Sequence, residues 1–132
     1  MLWAHNSTPQ TLAENDMVSF DTVICETNHH VALDNNAVLI KTPGWYEISI
    51  YAVVSNASTS SSAQSGLMLI ADGNDVEGSY TSFVVPASGS VPVSISIPVF
   101  VKPANEGTAT IGWQATEQET INTATIKVER KV

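Results

Sequence analysis

Basic residues are scarce in this chain: 5 Lys and Arg stand against 13 Asp and Glu in 132 residues, a formal charge of −8 at pH 7. A surface of that sign repels phosphate backbones and anionic lipid, which argues against nucleic acid and membrane as partners and leaves sugars, cations and other proteins. Cysteine is nearly absent. Cys25 alone cannot close an internal disulfide, so the fold must rest on its core and on association of subunits. Charged residues make up 14% of the chain, against about 25% in ordinary soluble domains, so Ser, Thr and Asn carry the polarity, a composition that favours strands and turns. No apolar run reaches the length of a membrane span. The start, Met1-Leu2-Trp3-Ala4-His5-Asn6, has neither a basic segment nor an apolar stretch of signal-peptide length, so synthesis in a cytosol without a signal peptide is expected. Also missing are helical spacing of apolar residues, a Gly-x-Ser-x-Gly elbow, a phosphate loop and a Cys-His pairing. The expectation is a protein that is not an enzyme and that needs no cofactor.

What is present is alternation. The stretch from Pro43 to Asn56 places Tyr46, Ile48, Ile50, Ala52 and Val54 on one face, with Trp45, Glu47, Ser49, Tyr51 and Val53 on the other. The second face mixes aromatic and polar residues, which suits contact with other protein better than open water. Further strands are expected at Met17–Cys25, Val31–Leu33, Ala37–Lys41, Leu67–Ala71, Val76–Val85, Val91–Lys102, Thr108–Ala115 and Thr123–Val132. Pro92 and Pro98 each lack a ladder donor and place their strand at an edge or at a bend. Turns are expected at Thr27–His30, Asp34–Asn36, Asp72–Asp75 and Lys102–Gly107. Residues 56–65, rich in Ser, read as an exposed, mobile loop, and 114–122 as a polar one. Short strands at intervals of roughly ten residues define an all-β sandwich or barrel.

On these residues the chain begins to resemble a known family. Gly44-Trp45-Tyr46-Glu47-Ile48-Ser49-Ile50-Tyr51-Ala52-Val53 is similar to the Gly-x-Tyr-x-Ile strand of the C1q/TNF-like jelly-roll superfamily. The apolar strand ending in Asp72-Gly73-Asn74 and the closing Ala124–Arg130 segment resemble that family's strand into an Asn-Gly turn and its last strand. The order of a Thr/Gln-rich start, Asn15 to Phe20 and a terminal Ile-x-Val-Glu-Arg resembles small head-fibre or decoration-type proteins encoded among virion genes of tailed phages of gut bacteria.

The resemblance implies a jelly-roll β-sandwich of about 8–10 antiparallel strands, with residues 1–16 as an N-terminal arm or edge strand and 17–132 as the jelly-roll domain. It implies a homotrimer whose interface Trp45, Tyr51 and Val53 would fill, although these residues could instead pack under a loop of the same chain. It further implies a structural role on a virion surface beside other virion proteins. Leu2 and Trp3 would then serve for attachment to a carrier, or else pack on the jelly roll itself. The alternative is a lectin-like or receptor-binding module in which Trp3, Trp113 or Tyr80 stacks on a host-surface glycan. A metal at His29-His30, with Glu26 or Asp34 near, and calcium at Asp72, Asn74 and Asp75 are weaker readings than plain turns. Glu117 and Glu119 read as hydrated carboxylates in a polar loop.

Overall fold

Apolar alternation on one side of Gly44–Ser55 becomes the wall of the core in the computed structural model, where Tyr46, Ile48, Ile50, Ala52 and Val54 are all buried. The structure describes residues 1–27, 30–103 and 107–131. The expected turns at Thr27–His30 and Lys102–Gly107 run partly outside them.

Twelve strands and no helix occur among the described residues. In chain order they are β1 Leu2–Asn6, β2 Gln10–Leu12, β3 Thr22–Glu26, β4 Val31–Asp34, β5 Ala37–Ile40 and β6 Gly44–Ser55; then β7 Ala63–Ala71, β8 Asn74–Asp75, β9 Thr81–Val85, β10 Ser90–Val101, β11 Ala109–Ala115 and β12 Glu119–Lys131. They form two six-stranded antiparallel sheets. The first runs β10-β6-β12-β1-β3 with β2 also on β12; the second runs β4-β5-β11-β7-β8 with β9 also on β7. Side chains from both inner faces meet in one core, in which Trp113, Tyr46 and Phe20 are the largest fully buried groups. The expected all-β jelly-roll sandwich is thus observed.

β10 lies at the edge of the first sheet, paired with β6 alone over its whole length from Ser90↔Ser55 to Val101↔Gly44. An edge tolerates the two missing donors of Pro92 and Pro98. The hairpin after β7 turns through Asp72 and Gly73 at positive φ, 52° and 83°, the pair of values a two-residue turn of right-handed twist requires.

Several sequence expectations are corrected. Residues 1–16 are not a separate arm: β1 is an interior strand held between β12 and β3, and β2 extends the same line along β12. Leu2 is buried in the core and offers nothing to a carrier in the folded chain. Met17–Cys25 is not one strand. Asn15 to Val18 bond to β11 of the second sheet, the Val18 amide donating to Trp113 O at 2.9 Å, whereas Thr22–Glu26 pairs with β1 in the first. Val18 and Phe20 point into the core, but Ile24 on the far side of the crossing is 52% exposed.

Val76–Val85 divides because Ser79 folds back: its hydroxyl donates to Val76 O at 2.6 Å and accepts from the Leu69 amide at 3.0 Å. β12 begins earlier than its alternation suggests, since the register with β6 shifts between Ile121 and Thr123 and hides the period. The loop after β6 is tied by Asn56, whose amide donates to Ser61 O at 2.9 Å and Val85 O at 3.2 Å, and its last residues, Ala63–Ser65, belong to β7.

Ile48→Ala is expected to cost about 2–5 kcal/mol, the usual range for a large-to-small core change. Ser61→Ala, at an exposed position, should cost almost nothing; urea denaturation of both variants measures the contrast. Deleting residues 1–12 removes the strands that flank β12 on one side, so the truncated chain should aggregate or lose its cooperative thermal transition.

Candidate functional site

The outer face of the first sheet carries the residues that alternate with the core. Trp45 is 54% exposed and Tyr51 46% exposed, with Trp3 and Phe100 also open on this face. Register explains how they gather. Lys131, Trp45 and Phe100 stand side by side across β12, β6 and β10, and the Trp45 and Phe100 rings meet edge to face with centroids 5.6 Å apart. Tyr51 lies between Thr125 and Ser94, and beside it a groove of about 420 Å³ is walled by Val53, Pro92 and Thr123.

Between these apolar ends runs a polar strip. Lys131 bridges Glu129 at 3.2 Å and Glu47 at 3.6 Å, Lys127 lies 3.8 Å from Glu129, and the Ser96 hydroxyl donates to Glu47 at 2.9 Å. The Lys131 ammonium lowers the pKa of Glu129, and the Glu129 carboxylate raises that of Lys131. Exposed pairs like these add little stability. Their consequence is electrostatic: two lysines cancel two glutamates, so this face is nearly neutral on a chain of charge −8. Trp45, Tyr51 and Val53 therefore share one face, Trp3 adjoins them, and Leu2 does not.

A second feature was not legible as such. Glu119, expected to be hydrated, is only 5% exposed. Its Oε2 accepts from the Gly66 amide at 2.9 Å and so ties β12 of one sheet to β7 of the other, while Oε1 is closed off from solvent. Burial pushes the carboxyl up to about 7, against the opposing pull of the Gly66 amide and the Ser65 hydroxyl. A side chain at Gly66 would collide with Thr116 Oγ1, so glycine there permits the close approach. Glu119 lines a polar cleft of about 210 Å³, with Thr11, Ser55, Asn56, Ser58 and Gln118 among its walls. No run of residue types announces this arrangement; the sole hint was a Glu inside what becomes the inward phase of β12.

The remaining candidates separate. Trp113 is fully buried with its indole N–H unpaired, which removes it as a platform for sugar; Tyr80 is exposed. His30 Nδ1 pairs with Thr42 Oγ1 at 2.8 Å, and His29 lies outside the described residues. Asn74 donates to Asp72 O at 3.3 Å within the hairpin turn. Among the described residues no three His, Cys, Asp or Glu side chains are grouped to hold a metal ion.

The raised pKa of Glu119 has a defined sign. Between the ordinary value of 4.5 and about 7 the folded state holds a proton that the unfolded state has released. Stability therefore falls as pH rises through that window, and the low-pH side is the stable one. Glu119→Gln should abolish the slope and exceed the wild type by about 1–3 kcal/mol above neutrality, a difference that urea midpoints on either side of the window would reveal.

No protein-family model and no curated protein sequence matches the chain. Solved structures do. The globular domain of zebrafish complement 1qA protein is similar at a TM-score of 0.68 and 12% identity, over 99% of this chain and 96% of that one. Eiger TNF from S. frugiperda gives 0.70 and 10%, over 99% and 92%. PRD1 vertex protein P5 gives 0.64 and 13%, over 99% and 96%. At such identities the likeness is one of fold, and the chain carries the jelly-roll sandwich of C1q and TNF domains.

Proposed function

We propose that the chain is a non-enzymatic structural module that assembles as a homotrimer through the outer face of its first sheet, on the surface of a phage virion as a head fibre or decoration subunit. The observation that carries the self-association is the outer face itself. It gathers Trp3, Trp45, Tyr51 and Phe100 around a strip of paired charges.

Aromatic groups with few uncompensated charges are the composition of a subunit contact, and a second copy of the chain fits best because the strip offers both signs to an identical neighbour. Three of the five basic residues, Lys127, Arg130 and Lys131, lie on β12. Elsewhere the acidic surface keeps copies apart, so association is directed to the neutral face. The virion placement is supported by the structural likeness to PRD1 vertex protein P5 together with the resemblance of the sequence to head-fibre proteins. A second reading, a module that binds glycan, is favoured by the polar cleft at Glu119.

Light scattering should give about three times the 14.1 kDa chain mass. Tyr51→Glu places a charge on the contact without touching the core, and it should shift the mass toward that of one chain while leaving the circular dichroism spectrum unchanged. A wild-type monomer at micromolar concentration would remove the trimer.

A further inference from the structure

We infer that the free edge of β9 is a docking site for an extended peptide segment of a partner protein, alternately apolar and carrying a basic end, which joins the second sheet as an added strand.

The first observation is the direction of the backbone groups. In β7 the Gly66 carbonyl accepts from the Thr116 amide at 3.1 Å and the Gly66 amide donates to Glu119, so residue 66 bonds away from β9. Leu69, three residues on, turns the other way, its carbonyl accepting from the Val76 amide at 2.9 Å. Bonded pairs alternate in an antiparallel ladder, so Thr81 and Phe83 bond to Leu67 and Ser65 of β7. Ser82 and Val84 then point their N–H and C=O groups to the open side, where β9 has no neighbouring strand. Such a row is a template for another strand.

The second observation is that this edge is bare where the others are blocked. Pro92 and Pro98 remove donors from β10, a bulge interrupts the register of β3 with β1, and β3 and β4 lie close together at the far side of the sandwich. Tyr80 to Val85 contains neither a charge nor a proline, and Val84 is 57% exposed.

The surroundings define the partner. β9 and β10 flank the same open side, and Val91, Val93 and Ile95 on the inner face of β10 are only half-buried. A strand added to β9 would extend the second sheet over them, so its inward residues must be apolar. A second copy of the chain, pairing β9 to β9, would leave them uncovered and set two bodies of charge −8 side by side. Charge fixes the sign of the segment. No Lys or Arg occurs between Lys41 and Lys102, whereas Asp72, Asp75 and Glu77 stand at the Tyr80 end of this edge. A basic residue arriving there is matched and an acidic one repelled. The outer face of the first sheet, the proposed subunit contact, belongs to the other layer.

The test uses the full chain and two end-capped heptapeptides, Lys-Thr-Val-Thr-Val-Thr-Lys and the same sequence with Glu for both Lys. Binding is followed by NMR titration and by amide hydrogen exchange. At saturation the basic peptide should slow exchange of the Ser82 and Val84 amides at least tenfold and leave Phe83, already bonded to β7, unchanged. The acidic peptide should bind at least tenfold more weakly. Val84→Pro removes one outward donor without breaking a bond to β7, and it should weaken the basic peptide tenfold or more. Val84→Lys, at an exposed side chain, should also weaken it and serves as the second variant if proline alters folding. Binding that leaves exchange at Ser82 and Val84 unchanged, or that survives both substitutions in folded protein, would overturn the edge as the site. Equal binding of the acidic peptide would refute the partner's charge. Slow exchange at both amides in the free chain, increasing with protein concentration, would give the edge to a second copy. No binding by the basic peptide would sink the inference, whatever mass light scattering gives.

Discussion

Everything in the sandwich hangs on the pairing of β6 with both its neighbours. β10 follows it without a break in register from Gly44 to Ser55, and β12 runs along its other side from Trp45 to Ser55 with one shift. A twelve-residue strand paired on both edges leaves its backbone groups satisfied and fixes which side chains face inward. A slip of one residue would turn Tyr46, Ile48 and Ile50 to solvent and bring Trp45, Glu47 and Ser49 into the core. Glu47 has no partner there. The polar strip of the outer face and the apolar wall of the inner face thus enforce the same register from opposite sides.

β6 was legible because it alternates without interruption and because a twelve-residue strand needs no help from its flanks. Less was legible where the chain changes sheets. Met17 to Cys25 keeps an apparent period of two, yet it crosses from β11 to β1 between Val18 and Thr22, and alternation carries no mark of which sheet a strand joins. Bulges hid other boundaries: at Asn122 two residues of β12 advance against one of β6, so Ile121 and Ala124 both point inward although they are three apart. Low complexity was misleading in a different way. The Ser-rich segment has no large side chain to bury, but Asn56 ties it through three hydrogen bonds to Ser58, Ser61 and Val85, an order that depends on tertiary position rather than composition.

The candidate sites divide along the same line. Trp45, Tyr51 and Val53 could be grouped from sequence because they lie on one strand at even spacing. Phe100 joins them only through the β6 and β10 register, and Trp3 only through β1 and β12. Glu119 could not be found from local pattern at all. Its burial is set by Gly66, more than fifty residues earlier, whose lack of a side chain lets β7 approach the Thr116 turn.

A fold shared with a complement domain, a TNF and a viral vertex protein says little about use, so function has to be sought in what the fold does not require. The buried core meets the fold's demands by itself. An aromatic outer face is not among those demands, since polar residues there would hold the same register. Nor is the carboxyl at position 119. A glutamine would accept the same bond from the Gly66 amide without the cost of burying a charge, and above neutral pH that cost weighs against the folded state. A carboxyl that weakens the folded state above neutral pH is thus a feature of this chain that the jelly-roll architecture does not itself demand.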